Sequence, residues 1–274
     1  MMEPGIVVLD ASVLGFLLTP DATDAIRRRL RVAHLRVWPS KVNVLEILKD
    51  GNTDRAARLL SHLAAWQDDA PLLPWPNALL HAEGLRVLRG EDGVVLADDL
   101  AERLVPNASA LLDDRERVLR LMTPMHEVFE SAHRDNGPII RRATKERALS
   151  DIDARTFLDE VWGNPDNGDH QAQLIWGAVG LPDSAPADLL VQSETWRLLI
   201  DALGASVYFR AVRREAQARP AGYFDLLQLI HLAGHQRARI LVTNDKAQRE
   251  TARAVLTGRY PNARVLSGEE FFGA

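Results

Sequence analysis

A short uncharged aliphatic run followed by a segment of helical period, repeated along the chain, constrains the fold more than any other feature. Gly5–Leu9 (GIVVL) reads as a buried strand, and the basic amphipathic stretch TDAIRRRLRVAHL beyond Pro20 reads as a helix. Leu35–Trp38 is a second strand, after which Ser40 caps a helix that begins near Val42 and carries Glu46. Gly51 ends that helix, Thr53–Asp69 is another, Pro71–Trp75 is a short third strand, and a helix runs from Asn77 to about Leu88. The same order returns near the end of the chain. There Phe224–Ala233 and Lys246–Thr257 are helical, and Arg239–Thr243 and Ala263–Leu266 are strands. Strands that alternate with helices predict an α/β fold, a doubly wound parallel sheet covered on both faces.

Between these halves the sequence carries almost no strand signal. Segments such as DDRERVLRLMTPMHEVFESAHRD and SETWRLLIDALGASVYFRAVRREAQ are helical in period, and WGNPDNGDHQ is a polar break. The expectation is a core built from 1–89 and 219–274, with 90–218 as an inserted, mainly helical subdomain whose ends return to the sheet. The 274 residues are enough for one large domain or two modest ones.

Four acids recur at comparable places in the repeat. Asp10 follows the first strand, Glu46 lies in the helix after the second, Asp225 opens a helix, and Asp245 follows a strand in ILVTNDK. Ligands of open α/β sheets bind outside the carboxyl ends of the strands, so Asp10 and Asp245 become neighbours if their strands are adjacent. Taken singly, Asp10, Asp225 and Asp245 are cap or turn residues and Glu46 is a solvated helix residue. Together they would repel one another and lose their charge unless a cation neutralised them. There is no cysteine, which excludes disulfides and thiolate-bound zinc. Hard oxygen ligands favour Mg²⁺ or Mn²⁺, and a pair of such ions can orient a water and stabilise both oxygens of a phosphodiester displacement.

At these residues the chain resembles the PIN-domain nucleases. The likeness lies in the strand-end acid of VVLDASVL, the helical acid of VNVLEIL, the helix-opening acid of YFDLLQLIHLAG, and ILVTNDK. It spans roughly 5–88 and 220–274. The resemblance implies an α/β/α sandwich and a metal-dependent endoribonuclease acting on single-stranded or structured RNA. It implies metal-binding and catalytic roles for Asp10, Glu46, Asp225 and Asp245, with Ser12, Thr243 and Asn244 in support. A long interval between Glu46 and Asp225 departs from compact members and puts substrate and regulation in question. An antitoxin-type or regulatory partner and a homo-oligomer stay open. Two other classes compete with this reading. A haloacid-dehalogenase-like phosphatase also places an acid after its first strand but wants a second Asp two residues on, where this chain has Ser12. A non-catalytic RNA- or protein-binding module of the same fold is the other.

Net charge is −5, so bulk attraction to nucleic acid is absent and any such binding rests on local basic patches. Arg210, Arg213, Arg214 and Arg219 directly precede Asp225 and are the candidate RNA-contacting run; the alternative is a solvated helix face. The six tryptophans are expected in the core or at an interface, and His231 and His235 at the surface near a helix end. No uncharged apolar stretch approaches the ~20 residues needed to cross a bilayer, and a reducing cytoplasm is the expected compartment.

Overall fold

The computed structural model describes residues 4–15, 20–67, 71–101, 112–117, 119–120, 152–162, 179–181, 192–212, 223–234 and 237–273. Among the described residues four strands form one all-parallel sheet: β1 (Gly5–Leu9), β2 (Leu35–Val37), β3 (Arg239–Val242) and β4 (Ala263–Leu266), in the order β2-β1-β3-β4. The register pairs Val7 with Val37 and Leu9 with Val242, so β1 and β3 end side by side. Their carboxyl ends are where the strand order reverses direction, the usual crevice of an open parallel sheet.

Both faces of the central strands β1 and β3 are buried, and strand periodicity decides which side chain goes where. Ile6 and Val8 of β1 and Leu241 of β3 enter one hydrophobic cluster, whereas Val7, Leu9, Ile240 and Val242 enter the other. The second cluster is closed by α1 (Ala11–Leu14), α2 (Pro20–Val32), α3 (Lys41–Lys49) and α4 (Thr53–Gln67), through residues such as Leu14, Ile26, Ile47 and Leu60. The first is closed by α5 (Pro76–Leu88), α6 (Ala154–Thr156) with the π-helical turn Phe157–Trp162, and α7 (Glu194–Val212). Helix α8 (Tyr223–Gln228), its 3₁₀ extension Leu229–Leu232, and α9 (Lys246–Leu256) complete that side. The result is helix, sheet, helix, which agrees with the expected doubly wound α/β class. The last helix is α10 (Gly268–Phe272).

The described part of 90–218 does not stand apart in its packing. Trp196, Leu199 and Ala202 of α7 share a cluster with Ile6 and Val8, and the Trp196 indole N–H donates to Leu80 O at 3.1 Å. At Gly204 the helix backbone meets the Trp162 ring so closely that a Cβ there would lie 2.5 Å from the indole. The same indole donates to Ile200 O at 2.8 Å.

Some elements differ from expectation. Pro71–Trp75 is not a strand; among the described residues it pairs through the isolated parallel bridge between Ser40 and Leu73, since Pro71 and Pro74 have no N–H to give a ladder. Trp38, Trp66, Trp162 and Trp196 are buried as expected, Trp75 is half-buried, and Trp176 lies outside the described residues. His231 is fully buried, a correction to the expected surface position, and His235 lies outside the described residues. Among the described residues no helix is long and apolar enough to cross a membrane.

Candidate metal centre

The crevice is built outward from Asp10. Its N–H donates to Val242 O at 2.9 Å, which carries the β1–β3 pairing one residue past the strand. Its side chain then caps α1, with Oδ2 accepting the Ser12 N–H at 3.0 Å. The same oxygen accepts the Ser12 hydroxyl and, at 3.1 Å, the Thr243 hydroxyl. Thr243 Oγ1 in turn accepts the Asp245 N–H at 3.0 Å, and Ser12 Oγ accepts the Asn244 N–H at 2.9 Å. Asn244 Oδ1 reaches the start of α10 through the Gly268 N–H at 2.9 Å. The three polar residues expected to support the site therefore hold the loop after β3 against the end of β1.

Three of the four acids meet here. Asp10, Glu46 and Asp225 each offer a carboxylate oxygen, and these oxygens all lie within 4.8 Å of one another. Asp10 is buried; Glu46 and Asp225 are partly so. Asp245 is not in this group. It is exposed, and its Oδ1 caps α9 by accepting the Gln248 N–H at 2.7 Å. Arg210 lies in α7, and Arg213, Arg214 and Arg219 lie outside the described residues.

Electrostatics single out Glu46. Burial, then the nearby Asp10 and Asp225 carboxylates, push its pKa well above the ordinary glutamate range, against the opposing effects of Lys49 and the Ala11 N–H. Its Oε2 is buried and has no hydrogen-bond partner among the described residues. A buried, unpartnered oxygen on a carboxylate grouped with two others fits a cation and is costly without one. An all-oxygen donor set matches Mg²⁺ or Mn²⁺.

Two buried amides at the site escaped sequence reasoning. Asn43 is fully buried and donates to Leu9 O at 2.6 Å. Gln248, also fully buried, donates to the backbone oxygen of Asp225 at 3.0 Å and so ties α9 to α8. The signal for Asn43 was its spacing from the cap residue Ser40. Gln248 stands at the capping-box position after Asp245, but its side chain turns to Asp225. His231 takes no part in the group. Its Nε2 lies 3.1 Å from Pro74 O, which can only accept, so that nitrogen carries the proton. Burial lowers its pKa to about 4, Arg239 adds to the effect, and the imidazole is neutral. No family model, no curated protein and no solved structure matches the chain.

Proposed function

We propose that the chain is a divalent-metal-dependent phosphodiesterase of PIN-like type, cutting RNA at the crevice beyond β1 and β3. One observation carries this reading: three carboxylates from separate chain segments converge within 4.8 Å, and one of them holds a buried oxygen with no partner among the described residues. In this reading Asp10, Glu46 and Asp225 hold Mg²⁺ or Mn²⁺. When bound, the ion supplies Lewis-acid activation and neutralises charge on the phosphodiester. Ser12 and Thr243 orient the Asp10 carboxylate through its Oδ2, the outer-shell role that fixes a ligand's direction. Asp245, one residue beyond the Thr243–Asn244 clamp, stands at the rim, where it can receive substrate or a second ion.

The reading is tested by RNA cleavage with added Mn²⁺. Wild-type protein is expected to cleave, and Asp10→Asn and Asp225→Asn to lose about 100-fold or more in rate while staying folded. Cleavage by folded Asp10→Asn at the wild-type rate would defeat the assignment. Cleavage of DNA in preference to RNA would correct the substrate.

A further inference from the structure

We infer that Asn43 is a positioning residue that fixes the spacing of Asp10 and Glu46, and thereby the size of cation the cluster accepts. The inference rests on the metal-site reading above and deepens it.

The geometry comes from where the sheet stops. Strand β2 ends at Val37, and the Trp38 N–H makes its last bond to β1, at Val7 O, 2.8 Å away. The next β1 carbonyl on that side is that of Leu9, buried and beyond the reach of β2. Asn43 takes it, with Nδ2 donating to Leu9 O at 2.6 Å. The other end of the same amide belongs to the start of α3. Its Oδ1 accepts the Ser40 N–H at 2.9 Å and the Ser40 hydroxyl at 3.0 Å, and the Asn43 N–H donates to Ser40 Oγ at 3.2 Å.

One short side chain thus joins the strand end to the helix that faces it. Leu9 is the residue before Asp10, and Glu46 lies one helical turn beyond Asn43, on the same side of α3. The link therefore ends within three residues of each carboxylate. Only an amide does both jobs at this reach, since aspartate keeps the acceptor and loses the donor, and alanine loses both. A carboxylate pair held at one spacing suits Mg²⁺ and Mn²⁺, whose bonds to oxygen are short and whose geometry is strict. A pair free to spread suits Ca²⁺, which binds at ~2.3–2.6 Å with flexible coordination.

The test is calorimetric titration of the full chain with Mn²⁺, Mg²⁺ and Ca²⁺ separately, for wild type, Asn43→Ala, Asn43→Asp and Ser40→Ala. Asn43→Ala is expected to weaken Mn²⁺ and Mg²⁺ binding about tenfold, the usual effect of losing an outer-shell partner, and Ca²⁺ by less than about twofold. Asn43→Asp keeps the Ser40 pairing and is expected to show the same fall in the Mn²⁺:Ca²⁺ affinity ratio. It decides the matter if Asn43→Ala does not fold. Ser40→Ala weakens the cap of α3 but leaves the bond to Leu9, so the ratio is expected to stay at the wild-type value. An unchanged ratio in folded Asn43→Ala or Asn43→Asp, or an equal fall in Ser40→Ala, overturns the positioning role and leaves the metal reading standing. Failure of wild type to bind Mn²⁺ or Mg²⁺ overturns both.

Discussion

Among the described residues, Glu46 and Glu194 are carboxyl groups whose hold on a proton folding strengthens. For Glu46 the causes are burial and then its two acidic neighbours. Because its pKa is raised, the folded chain holds this proton more tightly than the unfolded chain. The stability this brings is complete below the ordinary glutamate range and is lost as pH rises through the folded value. In metal-free protein, Glu46→Gln is therefore expected to gain stability relative to wild type as pH rises above the ordinary glutamate range, with the difference closing as pH falls back towards that range. Urea unfolding across that range measures it, and a gap that does not vary with pH would contradict the argument. Glu194, at the start of α7, is raised to about 7 by burial, with Glu83 adding to the effect and Arg239 opposing it. The same sign applies, so wild type loses stability as pH climbs from the usual glutamate range through about 7. Glu194→Gln is expected to flatten that part of the profile.

At the scale of elements, helix starts carry much of the site. Asp245 shows why a strand-end acid cannot be assigned from its motif alone: it caps α9 through the Gln248 N–H and lies outside the three-acid group. Its two substitutions separate the roles. Asp245→Ala is expected to cost about 1 kcal/mol of stability, whereas Asp245→Asn is nearly neutral because asparagine caps as well as aspartate. If Asp245 also serves substrate or a second ion, Asp245→Asn will lower RNA cleavage while leaving thermal stability unchanged. Parallel melting curves and cleavage assays read both quantities.

At the scale of the whole molecule, α7 packs into the same core as the sheet. Trp196 is 0% accessible, hydrogen-bonded to Leu80 O and clustered with Ile6 and Val8. Trp196→Ala is expected to cost about 3–5 kcal/mol. Its unfolding should stay a single transition by far-ultraviolet and near-ultraviolet circular dichroism alike, because one cluster holds α7, α9 and the sheet. Separate transitions for the two probes would show that α7 unfolds apart from the sheet.

Alternating aliphatic runs and helical periods were enough to read the parallel α/β class, and Ala263–Leu266 was legible to the residue because its apolar pattern and flanks agree. Pro71–Trp75 was misread because its apolar content is that of a strand while its prolines deny it the hydrogen bonds of one. That Asp10 and Asp245 follow strands is local information, written in VVLDAS and LVTND. Which acids meet is not. Glu46 joins the group through the placement of α3, which a bond from Asn43 to the end of β1 secures, and Asp225 is held through Gln248 from a different helix. Strand and helix preferences act over a few residues, so the chain order carries them. The meeting of Asp10, Glu46 and Asp225 depends on contacts between segments far apart in sequence, and only the folded arrangement supplies these.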